Sequence, residues 1–191
     1  MEEALSDWNA ETAEWYAQNY GDYPTNQLGI DALDLPDHSR IVDIGCGTGA
    51  ALRHAASRIK GGRFIGLDPV PRMIEIANEW TEDHDAKNRI EFRVGSAESL
   101  PIESNFADYV LAFDSIDHWQ DVDKGLKEVG RILKATGKFV IIKDIHVPGA
   151  DEAIEKLITQ LVLTGFLIKV DKLISNDTIR FHLFIREIVK P

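Results

Sequence analysis

The sequence predicts an α/β fold: a doubly wound sheet of seven strands, mostly parallel with an antiparallel last strand, behind a helical N-terminal cap. Three observations carry this expectation. From Arg40 onward, short runs of strand-forming residues alternate with stretches of helical periodicity, the pattern of a parallel sheet with helices on both faces. The last two strand-like runs are separated only by Asn176-Asp177, a tight-hairpin signal that turns the final strand antiparallel. Between the first apolar run and the first helical stretch lies "IVDIGCGTGAAL", residues 41–52, with three glycines in five positions.

The elements follow in order. Residues 1–38 precede the first strand and form the cap. "RIVDIG" (40–45) is a buried strand, and 49–61 is a helix closed by Gly61-Gly62. "RFIGLD" (63–68) is the second strand, followed by a helix over 71–84 with Pro71 suited to its first turn. "IEFRVG" (90–95) is the third strand and "ADYVLAFD" (107–114) the fourth. The periodicity of 121–137 predicts a helix ended by Gly137, and "KFVIIKD" (138–144) is the fifth strand. A helix over 151–166 leads into the closing strands, 167–175 and 178–188. The 39–191 portion is one sheet domain, and 1–38 is a cap or lid belonging to it.

Composition narrows the function. The chain has 191 residues, enough for one domain with a sizeable core. Its formal charge of −11, with Lys and Arg scattered, argues against a nucleic-acid partner. No apolar run is long enough to cross a bilayer, so no membrane partner is expected. The acidic N-terminus carries neither a basic nor an apolar leader segment, which gives a cytoplasmic expectation. The single Cys46 forms no internal disulfide and anchors no cysteine-rich metal site.

The chemistry-bearing residues gather where strands end, which is where ligands bind in open α/β sheets. Gly45, Gly47 and Gly49 permit a tight turn and close approach of a ligand to the backbone. The same letters read as G-x-G-x-G or as the dinucleotide pattern G-x-G-x-x-A. Asp43, beneath the loop, is poorly placed for a pyrophosphate and well placed for a cationic amine; its other use is to brace the loop. Asp68, ending the second strand, is suited to the two hydroxyls of a ribose, a device that NAD sites share. Met73 is placed to cover a purine face or to fill core. Ser96 and Glu98 offer polar atoms after the third strand. "AFDSIDHWQD" (112–121) brings Asp114, Asp117, His118 and Trp119 to the same edge, and Asp144 and His146 follow the fifth strand. His118 is either a general base or a loop brace. No tight ligand spacing supports a metal site. Trp8, Trp15, Tyr16, Tyr20 and Tyr23 concentrate in the cap, which suggests a cover over something apolar or aromatic.

In motif order, Arg40 to Lys190 resembles a Rossmann-like class I S-adenosylmethionine-dependent methyltransferase. "VDIGCGTG" is similar to that family's first motif, "GLDPVPRMIEIA" to its second, "VGSAESLP" to its adenine loop and "SIDHW" to the segment after the fourth strand. The resemblance implies a small-molecule methyl acceptor and S-adenosylmethionine as cofactor. It implies that Asp43, Gly45, Cys46, Gly47 and Gly49 build the methionine end of the site. Asp68 and Pro69 would meet the ribose, Met73, Ser96, Ala97 and Glu98 the adenine, and the backbone at Ala112 and Phe113 the cofactor amine. His118 and Trp119 would lie near the transferred methyl, with Tyr16 and Tyr20 of the cap. The chain departs from the family at Ser96, where an acid is common, at Val70, where a capping serine is common, and at Asp117, where a histidine is common. Two other readings stand beside this one: an NAD-type oxidoreductase, and a non-catalytic cofactor-binding scaffold subunit.

Overall fold

The computed structural model describes residues 8–144, 150–175 and 180–188. Two helices form the cap. α1 (Ala10–Tyr20) starts where the Asn9 side chain accepts the Thr12 amide at 2.9 Å, and α2 (Pro24–Asp31) begins on a proline, whose fixed φ suits a first turn. The order then runs β1 (Arg40–Ile44), α3 (Ala50–Arg58), β2 (Arg63–Asp68), α4 (Pro71–Thr81), β3 (Ile90–Val94), β4 (Ala107–Phe113), α5 (Val122–Ile132), β5 (Leu133–Asp144), α6 (Ala150–Leu163), β6 (Phe166–Ser175) and β7 (Arg180–Ile188). One-turn 3₁₀ helices lie at Lys87–Arg89 and Ile116–His118.

The seven strands make one sheet in the order β3-β2-β1-β4-β5-β7-β6. β1 to β5 pair in parallel, while β7 runs antiparallel to both β5 and β6. The expected fold class is therefore present. The Asn176-Asp177 turn and His146 lie outside the described residues. Winding starts at β1 and proceeds outward to β3, then returns to β4 and proceeds the other way. The carboxyl ends of β1 and β4 consequently flank the switch point, where an open α/β sheet leaves a crevice.

Alternation along the strands sends side chains to two cores. Val42, Ile44, Val110, Phe139 and Ile141 face α5 and α6, and Ile41, Tyr109, Leu111, Val140 and Ile142 face α2 and α3. A third, smaller cluster joins the cap to the body: Ala13 and Ala17 of α1 pack on Val70, Met73 and Ile76.

Two boundaries differ from the sequence expectation. α5 ends at Ile132, not at Gly137, because Leu133 already pairs with Ala107 of β4. Both Ile132 and Leu133 are fully buried, and sheet pairing overrides the helical periodicity of "LKATG". The extra length is taken up as a bulge between the Ala107–Leu133 and Tyr109–Lys138 pairs, in which one residue of β4 lies opposite four of β5. α3 ends at Arg58, and Gly61-Gly62 form the turn into β2 rather than a helix cap.

Candidate functional site

The glycine stretch leaves β1 and turns back under the end of β2. The Gly45 and Cys46 amides both donate to the Leu67 carbonyl, at 2.8 and 3.0 Å, which ties the loop to the neighbouring strand. Gly47 sits at φ +52°, a conformation that L side chains rarely adopt. A Cβ built on Gly47 would find only the Tyr16 ring, 3.8 Å away; this position faces open space and brings bare backbone to a cavity. At Gly45 a Cβ would instead strike Ser115, whose hydroxyl donates to the Ile44 carbonyl at 2.6 Å.

Asp68 stands at the end of β2, 8% exposed. One carboxylate oxygen accepts the Gly47 amide at 3.1 Å and the other the Val70 amide at 3.0 Å. Burial pushes its carboxyl up to about 6, against the lowering effect of those two amides and of His118. Asp43 lies deeper, 2% exposed, and its Oδ1 has no hydrogen-bond partner among the described residues. Burial, with the Asp68 carboxylate second, raises it to about 7.

Around these groups is a cavity of about 690 Å³, within the size range of small-molecule sites. Gly45, Gly47, Asp68, Pro69 and Met73 line its floor and one side. Ser96, Ala97 and Glu98 line the edge beyond β3, and Phe113, His118 and Trp119 the edge beyond β4. Tyr16 and Tyr20 close it from the cap. Four sequence-derived candidates are not in the lining. Cys46 points into the core beside Gly66, Gly49 abuts the Phe92 ring, and Ala112 is enclosed in the core within β4. Asp43 is the fourth, beneath the loop. Asp144 closes β5.

Several lining residues also carry structural duties. The Glu98 carboxylate accepts the Asp121 amide at 3.1 Å, bracing the entry to α5. The Trp119 ring stacks on Phe139 at 6.3 Å between centroids and covers Gly125. Trp8 meets Tyr16 at 5.4 Å and reaches across to His118 at 6.1 Å, both edge-on, and Tyr16, Tyr20 and Tyr23 continue the aromatic row at 5.7 and 5.8 Å. Burial, then the Asp114 and Asp68 carboxylates, raise the Tyr16 phenol to about 12, so it remains a hydrogen-bond donor across the physiological range.

Sequence reasoning passed over Lys143. It lines the cavity, is 8% exposed and pairs with Asp117. The available signal was a lysine directly after the apolar run Phe139 to Ile142, one residue from the carboxyl end of β5. Among the described residues no group of three or more His, Cys, Asp or Glu side chains is arranged to hold a metal ion, and no helix is long and apolar enough to cross a membrane.

A doubly wound sheet with a glycine loop and a buried acid at its switch point has the architecture of the nucleotide-binding α/β folds. The family is narrower. The methyltransferase domain model matches residues 42–141, more than half of the chain, and the chain belongs to that family; it has the class I S-adenosylmethionine-dependent methyltransferase fold. It is 29% identical over 134 residues to the uncharacterized methyltransferase YcgJ of Bacillus subtilis, covering 70% of this chain and 51% of that one. It is 30% identical over 126 residues to the chloroplastic 2-methyl-6-phytyl-1,4-hydroquinone methyltransferase of Arabidopsis thaliana, covering 64% and 36%. The chain thus spans about half or less of the length of these relatives. Among solved structures, a chain of the complex between the Haloferax volcanii Trm112 methyltransferase activator and the putative methyltransferase superimposes with a TM-score of 0.80 at 19% identity, covering 98% of this chain and 97% of that one. A putative S-adenosylmethionine-dependent methyltransferase of Methanococcus maripaludis gives 0.76 at 22% identity, covering 95% and 93%. These two likenesses are of fold.

Proposed function

We propose that the protein transfers a methyl group from S-adenosylmethionine to a small-molecule acceptor within this cavity. The observation that carries the reading is the pairing of bare backbone at Gly47 with the buried carboxylate of Asp68 on one cavity floor. The fit to the cofactor is good on the residues present. Asp68 offers acceptor atoms to the two ribose hydroxyls, and a Cβ at Gly47 would fill the space left open there. The orphaned Asp43 carboxyl supplies negative potential beneath the loop for a cationic group above it.

Bound in this site, S-adenosylmethionine would supply an activated methyl on a sulfonium. The chain's own residues do the rest. Gly45 and Gly47 cradle the methionine end, with Asp43, Cys46 and Gly49 shaping the loop from behind. Asp68 and Pro69 hold the ribose. Met73, Ser96, Ala97 and Glu98 frame the adenine, while Phe113, with Ala112 behind it in the core, meets the amine. Tyr16 and Tyr20 from the 1–38 cap, with His118 and Trp119, surround the acceptor side and exclude water, so that alignment does most of the catalytic work. Where the acceptor arrives protonated, the His118 imidazole is the group within the cavity suited to take that proton.

The family assignment replaces the oxidoreductase alternative. The scaffold-subunit reading is separated by activity. Calorimetry with S-adenosylhomocysteine and with NAD, followed by tritiated-methyl transfer to a panel of small acceptors, tests the proposal. Binding of S-adenosylhomocysteine with methyl transfer supports an enzyme; binding without any transfer supports a scaffold. NAD binding without S-adenosylhomocysteine binding removes the reading altogether.

A further inference from the structure

We propose that the methyl acceptor is a small molecule carrying a positively charged amino group, held between the aromatic rings of the cap and the carboxylates that follow β4. This rests on the methyltransferase reading above and names the substrate class that it leaves open.

The sheet order separates the two ends of the cavity. Asp68 ends β2 and the Ser96–Glu98 loop follows β3, on one side of β1. Asp114 and Asp117 follow β4 on the other side, with Lys143 near the end of β5 beside them. The features suited to a nucleoside are on the first side, so the β4 side, with the cap over it, is left for the acceptor.

Two features of that side favour a cation. The first is charge. Asp68, Glu98, Asp114 and Asp117 line the cavity, and among the described residues Lys143 is the one lysine or arginine in the lining. Lys143 pairs with Asp117, and a single ammonium cannot balance both carboxylates of the β4 side. Even with the net single positive charge of S-adenosylmethionine added, the lining stays negative. An anionic acceptor would add to that charge and a neutral one would leave it standing in a partly enclosed space, whereas a cation reduces it. The net charge of −11 acts in the same sense at longer range, by raising the local concentration of cations.

The second feature is the aromatic row. Trp8, Tyr16, Tyr20 and Tyr23 all line the cavity. Their centroids follow one another at 5.4, 5.7 and 5.8 Å, with successive planes turned by 65°, 33° and 66°. Rings turned in this way cannot all stack on one flat body. They present faces in several directions, and each electron-rich face attracts a compact cation. An uncharged apolar body would gain from the rings and give nothing to the carboxylates; a cation is served by both. The two features also meet in space. After burial, the Asp114 carboxylate is the strongest influence raising the Tyr16 phenol, so its negative potential reaches the ring row.

The test uses protein saturated with S-adenosylhomocysteine. It is titrated calorimetrically with three amines, each against a neutral counterpart of similar shape: dimethylaminoethanol against isoamyl alcohol, cyclohexylamine against cyclohexanol, and phenethylamine against phenethyl alcohol. The parent should bind the amines tighter than the alcohols by about tenfold or more, the difference expected for a cation that meets both a ring face and a carboxylate. Asp114 stands at φ +49°, a conformation that asparagine also tolerates, so Asp114→Asn should keep the fold. That variant should lose most of the preference. Tyr20→Leu should reduce it and Tyr20→Phe, which keeps the ring face, should retain it, so the outcome does not hang on one variant. S-adenosylhomocysteine affinity should be the same throughout. Alcohols bound as tightly as amines, no amine bound at all, or a preference that survives both Asp114→Asn and Tyr20→Leu would overturn the proposal. So would a loss of S-adenosylhomocysteine binding in folded Asp114→Asn, which would assign that carboxylate to the cofactor. Failure of the parent to bind S-adenosylhomocysteine is a different result, and it removes the methyltransferase reading first.

Discussion

The Asp68 carboxylate accepts the Gly47 amide at 3.1 Å, which fixes the acid ending β2 to the loop that follows β1. Its other oxygen holds the Val70 amide at the start of α4. One side chain thus sets the spacing of two strand ends while remaining on the cavity floor. Asp68→Ala should lower S-adenosylhomocysteine affinity by ~2–5 kcal/mol, since it strands donors that the carboxylate satisfied. It should also lower the melting temperature, because two backbone amides lose their acceptor. Calorimetry and thermal denaturation read the two effects separately. An unchanged affinity with a lowered melting temperature would confine Asp68 to bracing the loop.

Gly47 is a sharper probe of the same floor. Its φ of +52° disfavours any Cβ, by about 1–2 kcal/mol. A valine side chain there would project into the cavity beneath Tyr16. Gly47→Val should keep the circular dichroism of a folded α/β protein and lose S-adenosylhomocysteine binding. Retained binding in that variant would take the loop out of the site.

The pair Asp43 and Asp68 makes both stability and binding depend on pH. Their carboxyls stand at about 7 and about 6 in the folded chain, against a usual 3.8. The folded state therefore holds more protons than the unfolded chain between about pH 4 and 7, and stability falls as pH rises through that window. Asp43→Asn removes one of these burdens. Its gain in melting temperature over the parent, without ligand, should be larger at pH 8 than at pH 5. Ligand binding runs the other way, because hydroxyl donors and a cationic amine favour ionised carboxylates. S-adenosylhomocysteine affinity should weaken as pH falls from about 7 to about 5, with proton release on binding near neutrality. Calorimetry in buffers of different ionisation enthalpy measures that release, and its absence would mean both acids are already ionised in the free protein.

The sheet was legible because its strands and helices each carry their own period, and because Asp43, the glycines and Asp68 fall at strand ends where an open sheet puts a ligand. Less legible was whatever depended on pairing. "RILKATG" reads as helix by local pattern, and only the contact of Leu133 with Ala107 converts it to strand. Motif membership did not separate the groups that line the cavity from those behind it. Gly47 and Cys46 are adjacent, yet one faces the cavity and the other packs beside Gly66. Lys143 was hidden for the opposite reason. It belongs to no motif, and its position matters only once β5 is known to lie beside β4 with Asp117 overhead.

The cap offers the remaining prediction. α1 is held to the body by a thin apolar contact, Ala13 and Ala17 against Met73 and its neighbours, with the Arg72–Glu14 ion pair beside it and the Thr48 hydroxyl donating to the Gly21 carbonyl at 2.6 Å. Of its large rings only Tyr16, which also faces the cavity, packs against that cluster; Trp15 is mostly exposed and Tyr20 lies partly exposed at the cavity. Small side chains bury little area, so the helix should open at lower free energy than the central strands. A ligand beneath Tyr16 and Trp8 would add contacts that exist only in the closed arrangement, and would shift the helix toward it. Hydrogen exchange over residues 8–24 should therefore be fast relative to Phe139 to Ile142 in the free protein and slow clearly when S-adenosylhomocysteine is added, while those strand residues change little. Full protection of α1 before ligand is added, with no further slowing afterward, would make the cap a fixed wall and leave access to the cavity to the segment 114–119.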